Sequence, residues 1–554
     1  MERNFVIKYK TEFGIVTTNE LENDFYALDI TDTAERFTVV MKPKKAFELV
    51  TFAAESDYAF VPGDNFYAGG YQSWTTSREY KNFDVQKRST KIAEVSKFTS
   101  HLTKMFGDEY FVEYSELPGE FHSHCYTYIR NGEDCKLWGS LSEKTGFTYF
   151  KVKMNDDYFA ICKDVEGKVV TEDYTIFDVV YFEGSYDAVF DAYFGMQEMP
   201  ATRNGQMSGY TSWYNYFQNI NEDIILRDLD GLDPVKDEVS IFQIDDGYEP
   251  FVGDWLDPCP EKFPNGMAYI ADKIHQKGYK AGIWVAPFSC QIKSRMAKEH
   301  PDWLIKDENG KSLVGVPAWG GAYIFDIFND EVRDYIRHFF DVILNEWNFD
   351  MVKLDFLYSQ CIFPRNGKSR GEIMYAAMCF LRDCVGDKLF LGCGAPIGTA
   401  IGIVDACRIS CDVAPDYMGK FYNRYIFINN EIVSAQNAIN NSIFRRHLNG
   451  RVWMNDPDVF FLRDDNIHFT KEQKLLLGTI NNLCGNVLFV SDNAGDYDAT
   501  QMKWLKKFFK KTDEKILGAE YISDDIIRMR IQDGKMIKTL TFNIKTGKVI
   551  KNHI

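Results

Sequence analysis

Residues 351–357 read Met-Val-Lys-Leu-Asp-Phe-Leu, and residues 407–415 read Cys-Arg-Ile-Ser-Cys-Asp-Val-Ala-Pro. Each is a short apolar, β-prone run closed by a carboxylate, Asp355 in the first and Asp412 in the second. A cation precedes each acid: Lys353 two residues before Asp355, and Arg408 four residues before Asp412. If both runs are strands of one parallel barrel, both carboxylates emerge on its C-terminal face, where the active sites of such barrels are built. Two acids flanking a glycosidic bond are what sugar hydrolysis requires.

Working outward from these runs, strands and helices alternate. Strand candidates lie at 209–217, 239–245, 280–287, 351–357, 388–394, 407–412, 451–455 and 486–491. Helical periodicity fills most of the gaps. It is clearest over 329–347, where Val332, Ile336, Phe339, Phe340, Ile343 and Leu344 recur at three- and four-residue spacing. Asn329 or Asp330 is positioned to cap that helix, with Glu331 in its first turn. Similar patterns cover 370–385, 430–447 and 471–484. Eight β/α repeats in roughly 300 residues match the size of a (β/α)8 TIM barrel. The alternative, an open doubly wound sheet, lacks its Gly-x-Gly-x-x-Gly turn after the first strand.

The flanks read differently. The first 185 or so residues cluster β-formers between turn signals, as in Phe37-Thr-Val-Val-Met41, which predicts a large antiparallel sandwich. A helix over 185–196 and a linker over 200–205 follow. Near the C-terminus, residues 526–531 alternate, Asp533-Gly534 marks a hairpin turn and 535–544 forms the return strand. A basic amphipathic helix over 500–511 precedes them as a surface helix closing the barrel. The expected organisation is a β-sandwich over 1–195, the barrel over 196–495, and a last barrel helix with a small antiparallel β-domain over 496–554.

Composition narrows the class. A chain of 554 residues is too long for one core, so about two to four domains are expected. Apolar content of 45% and charged content of 26% are globular values. No apolar run of about 20 residues predicts a membrane span. The N-terminus lacks the apolar stretch of a secretory signal, and twelve cysteines without framework spacing read as reduced thiols; both point to the cytoplasm. A net charge of −18 argues against a nucleic-acid partner. No Cys-x-x-Cys pair and no His-x-x-x-His spacing occurs, so a zinc site is not expected, and the family resemblance given below implies no metal or organic cofactor.

Several strand ends carry groups suited to a sugar. Gln243-Ile-Asp-Asp-Gly-Tyr248 places Asp245 and Asp246 together, as two hydroxyl acceptors or as a turn that caps the next helix. Trp284 offers an apolar platform or a core ring. Lys353 keeps Asp355 ionised, as a nucleophile must be, or forms a structural ion pair with it. Cys393, in Gly-Cys-Gly, lies where small residues let a ligand approach the backbone. Asp412 is the candidate general acid, beside Arg408. The end of the seventh strand, Trp453-Met-Asn-Asp-Pro-Asp458, reads as a loop-fixing turn. In the β-region, Gly69-Gly-Tyr-Gln-Ser-Trp-Thr75 can project Trp74, either as a lid or as a packed aromatic.

These motifs resemble the α-galactosidases of glycoside hydrolase family thirty-six, clan D, and among them the compact bacterial members. The resemblance rests on Gln-Ile-Asp-Asp-Gly-Tyr at 243–248, Gly-Asp-Trp at 253–255, Gly-Ile-Trp-Val-Ala-Pro-Phe at 282–288 and Val-Lys-Leu-Asp-Phe at 352–356. Leu-Gly-Cys-Gly-Ala-Pro at 391–396, Arg-Ile-Ser-Cys-Asp-Val-Ala-Pro at 408–415 and Gly-Tyr-Gln-Ser-Trp at 70–74 complete it. It implies a retaining exo-enzyme acting on small oligosaccharides that end in α-galactose. Asp355 would be the nucleophile and Asp412 the acid/base. Asp245 and Asp246 would hold the 4- and 6-hydroxyls, while Lys353, Cys393 and Arg408 would hold the 2- to 4-hydroxyl edge. Trp284 would be a wall and Trp74 a lid. The sequence leaves open an α-N-acetylgalactosaminidase, a galactosyl-transferring member of the family, a non-catalytic sugar-binding protein, and the oligomeric state.

Overall fold

A computed structural model describes residues 3–88, 100–101, 104–105, 107–307, 309–419 and 433–550. The chain divides into two compact units. One comprises Met1–Met199 with Gln360–Phe380 and Pro396–Ile403; the other comprises Pro200–Ser359, Leu381–Ala395 and Val404–Ile554.

The first unit is the expected sandwich, built from two antiparallel seven-stranded sheets. One sheet runs in the order Gly14–Thr18, Asn4–Thr11, Phe47–Asp57, Tyr158–Lys163, Thr148–Lys153, Glu120–His124, with Val169–Val170 added beside Phe47–Asp57. The strand Asn4–Thr11 shows why the layers form: Phe5, Ile7 and Tyr9 alternate inward with partly exposed neighbours. Inward residues of both sheets, among them Phe37, Val39, Phe52, Phe150 and Phe177, join one core. Each such side chain contributes about 1.5–3 kcal/mol of burial. The Tyr186–Gly195 helix follows, as its pattern predicts.

The second unit contains eight parallel strands, here β1 (Met207–Thr211), β2 (Ile241–Ile244), β3 (Lys280–Val285), β4 (Met351–Leu354), β5 (Leu389–Gly392), β6 (Ala406–Arg408), β7 (Met454–Asp456) and β8 (Val487–Val490). They pair in chain order from β1 to β7, and β1 also pairs with β8. The remaining seam, between β7 and β8, is bridged where the Asn486 N–H donates to the Asn455 carbonyl at 3.1 Å. Gly209 permits the close pairing of β1 and β2, because a Cβ there would sit 1.8 Å from the Ile241 carbonyl oxygen.

All eight sequence candidates become barrel strands, but most are shorter than their apolar runs. The first stops at Thr211, after which Trp213–Tyr216 forms a single helical turn. The sixth stops at Arg408, so Asp412 lies beyond the strand rather than at its last position. The helix predicted over 329–347 runs from Asp330 to Asp341 and continues as a π-helical turn to Glu346. Asn329 caps it, its Oδ1 accepting from the Glu331 and Val332 N–H groups. Of the helix predicted over 430–447, Ala435–Phe444 is helical, and its predicted start at 430–432 lies outside the described residues. The C-terminal strands Lys515–Ser523, Ile526–Asp533, Met536–Asn543 and Lys548–Ile550 form one antiparallel sheet. All twelve cysteines are free thiols; Cys407 is buried, whereas Cys379 and Cys384 are half-buried. Among the described residues no helix is long and apolar enough to cross a membrane.

Candidate active site at the C-terminal end of the barrel

Register decides which side chains meet. Trp284 of β3 lies opposite Lys353 of β4, Lys353 opposite Leu391 of β5, and Arg408 of β6 opposite Asp456 of β7. Because every strand is parallel, residues just beyond their C-terminal ends share one rim. Asp245, Asp355, Cys393 and Asp412 all lie there.

Asp355 follows β4 directly and its N–H still bonds the Val285 carbonyl at 3.0 Å. One carboxylate oxygen accepts the Trp284 indole N–H at 3.1 Å, and the other accepts the Phe356 N–H at 2.8 Å. Phe356 is left-handed, with φ 54°, a conformation that costs a non-glycine residue about 1–3 kcal/mol and clusters at functional sites. Burial pushes the Asp355 carboxyl above its ordinary pKa. The Asp412 charge adds to the rise, while Lys353 and hydrogen bonds from Trp284 and Cys393 oppose it. The Cys393 thiol is itself raised well above its ordinary value by burial and the Asp355 charge, so it stays a protonated donor.

Asp412 is set differently. Its side chain is 36% exposed, and Oδ1 accepts one Arg408 N–H at 2.9 Å. Arg408 is buried and touches two further acids, Asp456 at 3.2 Å and Asp458 at 2.9 Å. Asp458 also accepts the Val413 N–H at 2.7 Å and the Tyr214 hydroxyl, so it holds the backbone immediately after Asp412. Burial pushes the Asp458 carboxyl up to about 7, with Arg408 opposing and Asp412 and Asp456 reinforcing the rise.

Lys353 does not pair with Asp355 in the way its spacing predicts. Its ammonium donates to Asp245 Oδ2 at 2.8 Å, with both side chains buried. Burial works against the Lys353 charge, but the Asp245 carboxylate outweighs it and holds the ammonium above its ordinary pKa. The same Asp245 oxygen accepts Gln243 at 2.8 Å and Thr211 at 3.3 Å, and Oδ1 accepts the Asp246 N–H at 3.0 Å. Asp246 accepts the Gln218 amide on both oxygens, at 3.0 and 3.1 Å, and the Trp319 indole at 2.8 Å. Burial raises its pKa, against the hydrogen bonds.

Trp284 is only 2% exposed and stands edge-on to Trp255 and Trp319, so its N–H on Asp355 is its chief polar contact with the site. Residues 212–378 match the Melibiase family model.

The chain is 30% identical over 151 residues to α-galactosidase Mel36A of Lactobacillus acidophilus, covering 26% of this chain and 20% of that one. It is also 30% identical over 161 residues to an A type blood α-D-galactosamine galactosaminidase of Flavonifractor plautii, covering 27% and 15%. The matches thus span a fifth or less of those relatives' lengths. In fold, the chain is similar to TtGalA, an α-galactosidase from Thermus thermophilus solved with p-nitrophenyl α-D-galactopyranoside. The TM-score is 0.70 at 22% identity, covering 92% of this chain and 98% of that one.

Of the nine residues singled out from sequence, eight lie in the barrel unit, at or near the C-terminal ends of its strands: Asp245, Asp246, Trp284, Lys353, Asp355, Cys393, Arg408 and Asp412. Trp74 belongs to the sandwich unit, in a turn where its backbone N–H donates to Gln72 Oε1 at 3.1 Å. Gln218, Trp319 and Tyr214 carry no signal in the sequence that marks them for the site, because they sit in loops or single turns. Asp456 and Asp458 were read as loop-fixing; Asp458 N–H does bond Asp456 Oδ1 at 2.8 Å, but both carboxylates also grip Arg408.

Proposed function

We propose that this protein is a retaining exo-α-galactosidase that removes terminal α-D-galactosyl groups from small oligosaccharides. The observation that carries this reading is the contrast between two acids on one rim. Asp355 is buried and oriented by Trp284 and the Phe356 N–H. Asp412 is open to solvent on one side and held by a single arginine contact.

In this reading Asp355 attacks the anomeric carbon while Asp412 gives its proton to the departing glycosidic oxygen, leaving a β-linked galactosyl ester. Asp412, now ionised, takes a proton from water, and the hydroxide oxygen displaces Asp355. Its exposure suits a group that must meet first an aglycone and then water. Asp246 and its Gln218 and Trp319 partners form the polar wall for galactose. Asp245 has one oxygen fully engaged, so its other oxygen is the one free to add a hydroxyl. Lys353, the Cys393 thiol and Arg408 would hold the 2- to 4-hydroxyl edge.

Proton NMR of p-nitrophenyl α-galactoside hydrolysis tests the mechanism: α-galactose must appear first and mutarotate afterwards. First release of the β-anomer sinks the retaining account. The N-acetylamino substrate is the second arm, and the likeness to an α-D-galactosamine galactosaminidase adds its free-amine counterpart; faster turnover of either would reassign the C2 specificity.

A further inference from the structure

A second constellation lies in the sandwich unit. The strand Glu120–His124 carries His122 and His124 two residues apart, which puts both imidazoles on one face. Asp108, from the loop preceding that strand, meets them. His122 Nε2 lies 2.9 Å and His124 Nε2 2.7 Å from the same oxygen, Asp108 Oδ2. One ligating atom from each residue lies within 4.8 Å of the other two. The three residues are 1%, 5% and 5% exposed.

Each member is held from outside the cluster. Asp108 Oδ1 accepts the Tyr114 hydroxyl at 2.8 Å. The Gln86 amide brackets the His122 backbone, accepting from its N–H at 2.7 Å and donating to its carbonyl at 3.2 Å. The His124 ring is wedged edge-on between Tyr71 and Phe111, and its Nδ1 is buried without a hydrogen-bond partner, so Nε2 is its one polar anchor. A cavity of about 320 Å³ reaches His122 and Tyr114 and gives the cluster a route to solvent; Glu113, Glu120, Lys151 and Lys153 line it.

We propose that Asp108, His122 and His124 bind a zinc-class divalent ion that pins the loop carrying Asp108 to the strand at the edge of its sheet. Two imidazoles and one carboxylate are a donor set for zinc and its first-row neighbours rather than for calcium or magnesium. Zinc takes such ligands at about 2.0–2.2 Å, which at tetrahedral angles sets the donor atoms about 3.3 Å apart. The two imidazole-to-carboxylate separations need widen by only about half an ångström to reach that spacing. Two neutral imidazoles and one carboxylate leave the ion with one net positive charge and a fourth position for water.

The test uses the full chain, dialysed against chelator and then loaded with zinc chloride or cobalt chloride. One equivalent of zinc should survive gel filtration by elemental analysis, the melting temperature should rise by several degrees, and cobalt should give the intense visible bands of a four-coordinate site. Asp108→Asn and the double variant His122→Gln/His124→Gln should each lose the equivalent and the zinc-dependent shift. Retention by both variants, or an unmodified chain that binds neither metal and melts identically with and without zinc, overturns the site and leaves a hydrogen-bonded cluster. The cobalt spectrum of the unmodified chain decides the matter even if the variants fail to fold.

Discussion

The ammonium of Lys353 sits 2.8 Å from Asp245 with both side chains buried, so the lysine that precedes Asp355 is spent on a different acid. This makes Lys353 an electrostatic link between Asp245 and Asp355 rather than a direct partner of the latter. Removing one member of such a pair strands the other charge. Lys353→Met and Asp245→Asn should each destabilise the chain by about 3–5 kcal/mol, and the double variant by much less than their sum. Urea denaturation of all four proteins checks this; additive losses would mean the pair is not coupled.

Asp355→Ala should lower turnover of p-nitrophenyl α-galactoside by several orders of magnitude, because the proposed mechanism forms its ester on that carboxylate. Azide should restore part of the rate and yield β-galactosyl azide. Near-normal turnover by the variant would remove Asp355 from the nucleophile's role.

Asp412→Ala should separate substrates by leaving group. Loss on melibiose should approach the ~10²–10⁴-fold that positioned acids contribute. The loss on a dinitrophenyl galactoside should be far smaller, since that aglycone leaves without a proton. Equal losses on both would exclude Asp412 as the acid.

The acid limb of the pH profile carries a sign. A nucleophile must be ionised, and burial raises the Asp355 carboxyl above its ordinary 3.8. The kcat/KM of an activated substrate should therefore begin to fall above pH 3.8 as the solution is acidified. Lys353→Met should move that limb to still higher pH, because Lys353 opposes the rise. A limb unmoved in the variant would show that Lys353 does not act on Asp355.

Asp458 predicts a stability slope. Its folded carboxyl is pushed up to about 7 from an ordinary 3.8, so the folded state binds the proton more tightly. That contribution is full below 3.8 and is lost as pH rises through about 7. Melting temperatures of the unmodified chain should accordingly fall relative to Asp458→Asn across this interval. Parallel curves would place the Asp458 titration elsewhere.

Much of this was legible in the sequence. Apolar runs flanked by turns located all eight barrel strands, and alternation located the sandwich, because the two periods come from backbone geometry itself. Strand ends were less legible. The run through Asp412 keeps its β-forming residues, yet pairing stops at Arg408, where the guanidinium turns to the carboxylates of Asp456 and Asp458. Trp319 left no trace in the sequence: its indole reaches Asp246 from a loop 73 residues further along the chain. His122 and His124 lack helical His-x-x-x-His spacing because a strand presents neighbours two apart, and Asp108 joins them only through the fold.

Sequence by itself determined the order of the elements, the barrel, and the presence of two acids at its C-terminal rim, since local periodicity and strand direction dictate these. Tertiary structure alone decided the partners: which acid Lys353 neutralises, which three Arg408 joins, and which indole orients Asp355. Those choices depend on register between strands far apart in the chain, and on burial, which turns short distances between charges into strong preferences.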